Sequence, residues 1–360
     1  MKKVAIIGTQ GVPAQYGGFE TLAEYLIGEN CSVDVQYTVF CSGKSYETRL
    51  QTYKKAALRY IPLHANGMQS ILYDIWSLVH AVRGYDVVMV LGVSGCIFMP
   101  VFRLLYRKKI IVNIDGLEYQ RVKWGKFVKK FLKLSETLAV RHADVLIADN
   151  KGIQDYIRAK YHKEAVLIAY GGDHVQRNVT EEQECRILEK YGLSRHEYAL
   201  SVCRIEPENN CSLIIGAYAQ SDQHLAFVGN WDHSKFGKDL RSECEPYTNI
   251  HTFSGIYDLD ELYILRKNCR VYIHGHSAGG TNPSLVEAMF FGRPIWAYDV
   301  IYNRETTENR IVYFRDISAL RDLMETDINH FEGMGEQMLE TASRRYHWKL
   351  IVKQYEDNYI

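Results

Sequence analysis

Residues 3–29 read KVAIIGTQGVPAQYGGFETLAEYLIGE, and this stretch sets the pattern for the whole chain. It begins with a short, nearly continuous apolar run, which is typical of a strand buried on both faces of a sheet. A glycine-rich loop follows, and after Gly17 the apolar residues recur at helical spacing, with Phe19, Leu22 and Leu26 on one face. A strand, a glycine loop and a helix in that order indicate a parallel α/β sheet.

The same alternation continues along the chain and pauses once, at the polar segment 170–184. We therefore expect two doubly wound, Rossmann-like domains, residues 1–172 and residues 173–345. Residues 346–360 carry an apolar face at helical spacing, and we expect this helix to pack back on the first domain. Further strands are expected at 33–40, 57–63, 86–92, 109–115 and 144–149, and beyond the pause at 198–204, 224–229, 249–255, 270–275, 293–299 and 310–314.

The overall charge is zero, with 43 Lys and Arg against 43 Asp and Glu. Residues 1–170 contain 23 basic and 14 acidic residues, a net charge of +9, and the remainder contains 20 and 29, a net charge of −9. A chain that is not uniformly basic is a poor candidate for nucleic-acid binding. The basic first domain could still approach an anionic membrane surface.

The eight cysteines form no C-x-x-C pair and no zinc-finger spacing, so we expect reduced thiols in a cytoplasmic protein. The apolar run at the N-terminus is too short for a signal peptide. No uncharged stretch is longer than 16 residues, and the one at residues 87–102 contains Gly92, Gly95 and Pro100. A membrane span needs about 20 apolar residues, so we expect none here.

Ligands of doubly wound sheets bind at the carboxyl ends of the strands, so the loops after strands are the places to look for chemistry. The loop 8–21 ends in Gly17 and Gly18, whose backbone could approach an anion at a helix N-terminus. It does not match G-x-G-x-x-G, which disfavours a dinucleotide dehydrogenase. The alternative is a loop that only reverses the direction of the chain and binds no anion.

In the loop 113–125, Asp115 and Glu118 could bind a sugar hydroxyl or assist proton transfer. The alternative is that they cap a helix or pair with an arginine.

Two loops of the second domain suit a diphosphate. Arg204 ends a strand and offers a planar fork of donors, although a salt bridge to a nearby glutamate is the alternative. After the strand at 270–275, a glycine loop runs into a helix that begins at Pro283, and Glu287 lies about one turn into it. His274 and His276 form H-x-H without an evident third ligand, so hydrogen bonding is favoured over a metal site. Four residues of this glycine loop are candidate diphosphate ligands: Gly279, Gly280, Thr281 and Asn282.

These four loops, in this order, resemble glycosyltransferase family 4, and within it the capsular-polysaccharide rhamnosyltransferase subgroup. The resemblance covers essentially the whole chain and implies the GT-B fold, two such domains facing across a cleft. It implies retaining transfer from a nucleotide sugar, with no metal and no other cofactor, and a lipid-linked saccharide as acceptor. By position it implies three catalytic residues, Asp115, Arg204 and Glu287, with Arg204 on the diphosphate and Glu287 on the ribose. Gly17 and Gly18 match a loop near donor and acceptor, and the acceptor side comprises Tyr16, Glu20 and Glu118.

Three positions depart from the family pattern. Gly279 stands where the family has the first glutamate of its E-x7-E motif, and Asp115 replaces the usual histidine. Asn209 replaces the usual lysine of the diphosphate site, and its position implies that it binds the donor. All three changes resemble the rhamnosyltransferase subgroup, which implies a different donor, dTDP-L-rhamnose, and not a loss of activity. The alternatives are another UDP- or GDP-sugar donor, a nucleotide-sugar epimerase with the same architecture, and a non-catalytic sugar-nucleotide sensor.

Residues 123–138 read KWGKFVKKFLKLSETL and predict a basic amphipathic helix. Lysines occupy one face and aromatic and leucine side chains another, which suits an anionic membrane surface. We expect peripheral association with the inner face of the plasma membrane. The alternative is an ordinary domain helix with its apolar face in the core and its charges in solvent. The lysines proposed to face the membrane are Lys123, Lys126, Lys130 and Lys133.

Overall fold

The computed structural model describes residues 1–15, 17–29, 32, 34–67, 69–114, 116–120 (without the side chain of Gln120) and 124–359. The chain forms two compact units. The first comprises Met1–Tyr170 together with Trp348–Ile360, and the second comprises Gly171–His347. No helix within the described ranges is both long enough and apolar enough to cross a membrane.

The first unit is built on an eight-stranded sheet, in which β1 lies between β2 and β5. The sheet order is β3-β4-β2-β1-β5-β6-β7-β8, and only the β3–β4 pair is antiparallel. The strands are β1 Lys2–Ile7, β2 Val35–Ser42, β3 Thr52–Tyr53, β4 Ala56–Ile61, β5 Val87–Leu91, β6 Lys109–Ile114, β7 Val145–Ala148 and β8 Val166–Leu167. The helices are α1 Gly18–Gly28, α2 Gln69–Ala81, α3 Met99–Leu105, α4 Lys126–His142, α5 Lys151–Tyr161 and, at the end of the chain, α14 Trp348–Asp357.

The second unit is built on a six-stranded, fully parallel sheet of order β11-β10-β9-β12-β13-β14. The strands are β9 Tyr198–Val202, β10 His224–Val228, β11 Ile250–Phe253, β12 Val271–His274, β13 Ile295–Tyr298 and β14 Val312–Phe314. The helices are α6 Glu181–Tyr191, α7 Cys211–Tyr218, α8 Lys235–Cys244, α9 Leu259–Asn268, α10 Pro283–Met289, α11 Ile301–Thr306, α12 Ile317–Glu325 and α13 Met334–Arg345.

Helix α14 belongs to the first unit although it ends the chain. Its Trp348 ring stacks on Tyr25 of α1, with ring centroids 4.3 Å apart. The Tyr355 hydroxyl accepts a hydrogen bond of 2.7 Å from Nδ2 of Asn113 in β6. Ile351 is 1% exposed and shares the core of the first sheet. The burial of such side chains stabilises the docked helix by roughly 1.5–3 kcal/mol each.

The predicted fold class, two Rossmann-like parallel α/β domains, is confirmed. Every strand expected from the sequence is present, and the structure adds the short strands β3 and β8. The units divide at 170/171 and 347/348, against expected boundaries at 172/173 and 345/346. Each observed boundary therefore lies two residues from the position expected from the polar segment 170–184 or from the terminal helix.

We expect Ile351→Ala to destabilise the protein by about 2–5 kcal/mol, because it opens a cavity in the core of the first unit. Leu350→Ala on the same helix is the matched control, since Leu350 is 39% exposed. It should change the free energy of unfolding by no more than about 0.5 kcal/mol. Urea unfolding followed by circular dichroism measures both, and equal effects of the two substitutions would contradict the docking of α14.

Candidate functional site

The second unit brings two loops together at one edge of its sheet. Strands β9 and β12 are hydrogen-bonded neighbours, so the loops that leave their carboxyl ends, 203–210 and 275–282, lie side by side. The Ser277 backbone N–H and hydroxyl both donate to the Glu208 carbonyl oxygen, at 2.9 and 2.8 Å. The two backbones run so close that a Cβ at position 275 would lie 2.1 Å from the Asn209 carbonyl oxygen. Position 275 therefore requires glycine.

Arg204, the predicted diphosphate ligand, is the second residue after β9 and is partly exposed. Its carbonyl oxygen accepts a hydrogen bond of 2.6 Å from Nδ2 of Asn209. This bond ties the backbone of Arg204 to the far end of its loop. The backbone from which the guanidinium extends is thus fixed at the carboxyl ends of the strands, where ligands of such folds bind.

Asn209, predicted to bind the donor, is 2% exposed and both ends of its amide have partners. Nδ2 donates to Arg204, and Oδ1 lies 2.7 Å from Nδ1 of His276. An amide used in this way holds the two loops together, with one of its two N–H groups engaged by the Arg204 carbonyl. Its predicted direct contact with the donor remains untested, and the geometry favours a positioning role.

The glycine loop leads into α10 as the sequence indicated. Gly279 has a φ of 103°, a conformation that side-chain-bearing residues rarely adopt. Thr281 is buried, and Oδ1 of Asn282 accepts a hydrogen bond of 2.9 Å from the Ser284 backbone N–H. Asn282 is therefore the N-cap of a helix whose first residue is Pro283.

Glu287 lies on α10 with its side chain 16% exposed, and two basic side chains hold its carboxylate. Arg266 of α9 pairs with Oε2, and Nε2 of His174 lies 3.3 Å from Oε1. Burial by itself raises the pKa of this carboxyl, but Arg266 and His174 outweigh burial and hold the pKa at about 2. Glu287 is therefore ionised at neutral pH, and it accepts hydrogen bonds without donating any.

The sequence reasoning missed both partners of Glu287. Arg266 is only 3% exposed, and arginine is seldom buried without a partner. It lies on a helix outside the four loops that the sequence singles out. His174 lies in the polar segment 170–184, whose composition indicates only a domain boundary. The single signal in the sequence was an isolated basic residue on an otherwise apolar helical face.

His274 is fully buried, and burial lowers its pKa to about 3. Its Nε2 is enclosed and makes no hydrogen bond to any described part of the chain. Across the described ranges, no three His, Cys, Asp or Glu side chains are grouped as metal ligands. His274 is thus a neutral residue of the core, next to His276 at a ring separation of 6.1 Å.

In the first unit, the loop before α1 is folded around Glu20. Oε1 of Glu20 accepts the Gln10 backbone N–H at 2.8 Å, and a Cβ at position 17 would meet Oε2 at 2.1 Å. Gly17 also has a φ of 137°, and Gly18 begins the helix. Glu20 thus orders this loop, while its predicted role on the acceptor side stays a prediction. Tyr16 lies outside the described residues.

The loop after β6 carries Glu118, whose Oε1 accepts a hydrogen bond of 3.2 Å from Nε1 of Trp124. Asp115 and Lys123 lie outside the described residues. The hydroxyl of Tyr119 lies 3.0 Å from that of Tyr156, which donates to the buried carboxylate of Glu136 at 2.7 Å. Helices α4 and α5 thereby anchor this loop, a support that the sequence analysis did not foresee.

Two families match parts of the sequence. Residues 1–173 match the family described as "Domain of unknown function (DUF1972)", and residues 183–314 match "Glycosyl transferases group 1". A comparison with curated proteins finds no match.

Three solved structures illustrate the likeness of the whole chain. Sucrose-phosphate synthase from Thermosynechococcus elongatus superposes with a TM-score of 0.83 at 16% identity, over 100% of this chain and 98% of that one. HepE from Anabaena in complex with UDP gives 0.76 at 14% identity, over 99% of both chains. The catalytic domain of starch synthase IV from Arabidopsis thaliana, bound to ADP and acarbose, gives 0.75 at 11% identity, over 99% and 98%.

These likenesses show that the fold is GT-B, as the resemblance implied. The loops of Arg204 and Asn209, the glycine loop and Glu287 all lie within the segment that matches Glycosyl transferases group 1. That match supports glycosyltransferase activity. Neither glycosyltransferase family 4 nor its rhamnosyltransferase subgroup is confirmed by these comparisons.

We expect Arg266→Met to destabilise the protein by about 3–5 kcal/mol, because it leaves the carboxylate of Glu287 in a buried site without its main partner. The double variant Arg266→Met/Glu287→Gln should recover part of this loss. Arg321→Met is the control, since Arg321 lies 3.6 Å from Glu325, whose side chain is 72% exposed, and such pairs contribute about 0–1 kcal/mol. Thermal unfolding measures all three, and equal effects of the two arginine substitutions would count against a buried pair.

Proposed function

We propose that this protein is a retaining, metal-independent glycosyltransferase that transfers L-rhamnose from dTDP-L-rhamnose to a lipid-diphosphate-linked saccharide in capsule or exopolysaccharide biosynthesis. The observation that carries the glycosyl transfer is the arrangement of Arg204 and an ionised Glu287 at one edge of the domain that matches Glycosyl transferases group 1. HepE, which shares the fold, has been solved with UDP and with UDP-glucose, and this supports a nucleotide-sugar donor.

In this proposal, the second unit holds the nucleotide half of the donor. Glu287 accepts hydrogen bonds from the ribose hydroxyls, and Arg266 and His174 keep its carboxylate ionised and oriented. Arg204 and the backbone N–H groups of the glycine loop face the diphosphate. Fixed donors of this kind stabilise the charge that develops on the leaving group, because they need no reorganisation during the reaction.

The transfer itself is proposed to take place on one face of the sugar. The bond from the anomeric carbon to the diphosphate oxygen breaks, and a bond forms to the acceptor hydroxyl oxygen. The acceptor's proton passes to the departing phosphate oxygen, so no covalent enzyme intermediate is required. Asp115 remains a candidate for assisting at this centre.

The rhamnose donor is supported by the residue at position 279. A glycine there offers no carboxylate to a donor hydroxyl. Its φ of 103° would be strained for any residue that carries a side chain. Rhamnose is a 6-deoxy sugar and presents one hydroxyl fewer than glucose. A donor site without that carboxylate therefore suits rhamnose better than it suits glucose.

Helix α4 supports association of the first unit with an anionic membrane. Phe127 and Leu134 are 89% and 51% exposed, whereas the core face of the helix is a different set that includes Leu132 and Ala139. The apolar face predicted from the sequence is thus not the core face. Three of the four lysines proposed to face the membrane are described, and all three are exposed: Lys126, Lys130 and Lys133.

Neighbouring helices extend this exposed apolar surface. Helices α2, α3 and α4 connect β4 to β5, β5 to β6 and β6 to β7, all in one direction across the sheet. Right-handed crossovers place such helices on the same face. Large apolar side chains project from the outer sides of α2 and α3 as well, namely Leu72, Trp76, Val79, Val101, Leu104 and Leu105. Apolar patches of this kind on a basic domain suit an interface with anionic lipid.

A nucleotide-sugar epimerase is the second candidate, because it also needs a nucleotide-sugar site. An epimerase changes the donor without an acceptor, so it has no use for a surface that approaches lipid. The exposed apolar and basic surface therefore favours the transferase.

We expect Arg204→Ala and Glu287→Ala to lose transferase activity by at least about 100-fold, because each removes a charged contact to the donor. Arg321→Ala and Glu325→Ala, which remove the two halves of an exposed pair, should retain it. The assay incubates a lipid-diphosphate-glucose acceptor with dTDP-L-rhamnose, UDP-glucose and GDP-mannose separately and reads the product by mass. Transfer from another donor alone would overturn the rhamnose assignment, and a donor changed without transfer would indicate the epimerase.

We expect charge reversal of Lys126, Lys130 and Lys133 to glutamate to weaken sedimentation with phosphatidylserine-containing vesicles by at least about 100-fold, since each lysine contributes about 1 kcal/mol near such a surface. The matched control reverses three exposed lysines elsewhere in the unit, Lys44, Lys55 and Lys163. Equal binding by both triple variants would rule out α4 as the contact surface.

A further inference from the structure

Residues 8–15 form most of the loop between β1 and α1, and neighbouring parts of the first unit hold their backbone. The Ser42 N–H at the end of β2 donates to the Gln10 carbonyl oxygen at 2.8 Å. The hydroxyl of Tyr46 donates to the Pro13 carbonyl oxygen at 2.9 Å. These hydrogen bonds fix two carbonyl groups of the loop against β2 and the segment that follows it.

Two glutamates of α1 hold N–H groups of the same loop. Side chains on a helix incline toward its N-terminus, and residues four apart share a face, so both carboxylates reach back to the loop. Oε1 of Glu20 accepts the Gln10 N–H at 2.8 Å, and Oε2 of Glu24 accepts the Ala14 N–H at 2.6 Å. Hydrogen bonds to a carboxylate are stronger than those between neutral groups, so the helix fixes the loop that leads into it.

The short strand β3 and the turn after it support Glu24 from the other side. The Tyr53 hydroxyl donates to Oε1 of Glu24 at 2.8 Å, and Nζ of Lys54 lies 3.1 Å from the same oxygen. Burial raises the pKa of Glu24, but hydrogen bonds from Ala14, Tyr53 and Lys54 outweigh burial and hold the pKa below its ordinary value. Glu24 is therefore ionised at neutral pH, and the protein itself engages both of its oxygens.

We propose that Glu24 is a positioning residue for the transfer, which holds the loop leading to Gly17 and Gly18 in its binding conformation before donor or acceptor arrives. This inference rests on the proposed function, in which that loop lies near both substrates. A loop that is ordered in advance spares binding the entropic cost of ordering it. Glu24 acts through the backbone of Ala14, and Tyr53 and Lys54 act through Glu24.

Hydrogen–deuterium exchange of the full chain without substrate tests whether Glu24 orders the loop. Glu24→Ala removes the acceptor of the Ala14 N–H, so we expect exchange in residues 8–15 to quicken by at least about tenfold. Glu24→Gln keeps an oxygen acceptor and should exchange nearly as the wild type does. Glu164→Ala is the matched control, because it removes a carboxylate that is 71% exposed and pairs with Arg158 elsewhere in the unit.

Steady-state kinetics test whether this order serves the reaction. The assay uses the lipid-diphosphate-glucose acceptor with dTDP-L-rhamnose, UDP-glucose or GDP-mannose as donor. In Glu24→Ala we expect KM for at least one substrate to rise by at least about fivefold, because apparent affinity falls with the fraction of molecules whose loop is ordered. We expect kcat to stay within about threefold, since bound substrate restores the order. Glu24→Gln should restore KM, whereas a residue that only stabilises the fold would leave KM unchanged.

The outcomes distinguish this inference from the function on which it rests. If the wild type transfers none of the three sugars, the proposed function fails and the positioning role fails with it. If the wild type transfers sugar but Glu24→Ala leaves the exchange or both KM values unchanged, the role of Glu24 is overturned and the transferase stands. Should Glu24→Ala unfold, Tyr53→Phe and Lys54→Met decide the matter, because each removes one support of Oε1. Smaller rises in exchange and KM are then expected, and no rise in either variant would overturn the role.

Discussion

The hydrogen bonds of the Asn209 amide are the interaction on which the candidate site depends. Two loops that leave adjacent parallel strands bring buried polar groups together, and each group needs a partner because water is excluded. Asn209 satisfies the carbonyl of Arg204 on one side and the ring of His276 on the other. Gly275 allows the backbones to approach closely enough for this. The two loops are thereby held in one arrangement at the place proposed to receive the diphosphate.

The carboxylate of Glu287 is a buried charge whose desolvation is offset by its neighbours. Burial opposes its ionisation, and Arg266 and His174 reverse that effect. A ligand that needs a fixed acceptor meets an oriented carboxylate at neutral pH. Arg266 itself is enclosed, so the pair favours one geometry more than it adds stability, as expected when both partners lose their hydration. This suits the proposed role of Glu287, in which its carboxylate accepts hydrogen bonds from ribose hydroxyls.

The helices of the first unit differ in what covers them. Helix α14 packs on α1, and its Trp348 and Tyr355 complete the core on one side of the sheet. Helices α2, α3 and α4 leave large apolar side chains exposed on the other side, together with lysines such as Lys130. The sequence pattern of α4 showed an apolar and a basic face. It could not show that a third face, around Ala139, packs on the sheet, because the direction of burial depends on the neighbouring strands.

The sequence by itself indicated the alternation of strands and helices, the two parallel α/β domains and a final apolar helix, and its assignment of chemistry to particular loops stays a prediction. Those features are local, since apolar periodicity, glycine and proline act within a few residues. Only the tertiary structure decided that Arg266 and His174 hold Glu287, that Asn209 joins Arg204 to His276, and that Tyr119 is anchored through Glu136. These partners lie on different elements, and packing of the sheets alone brings them within hydrogen-bonding distance.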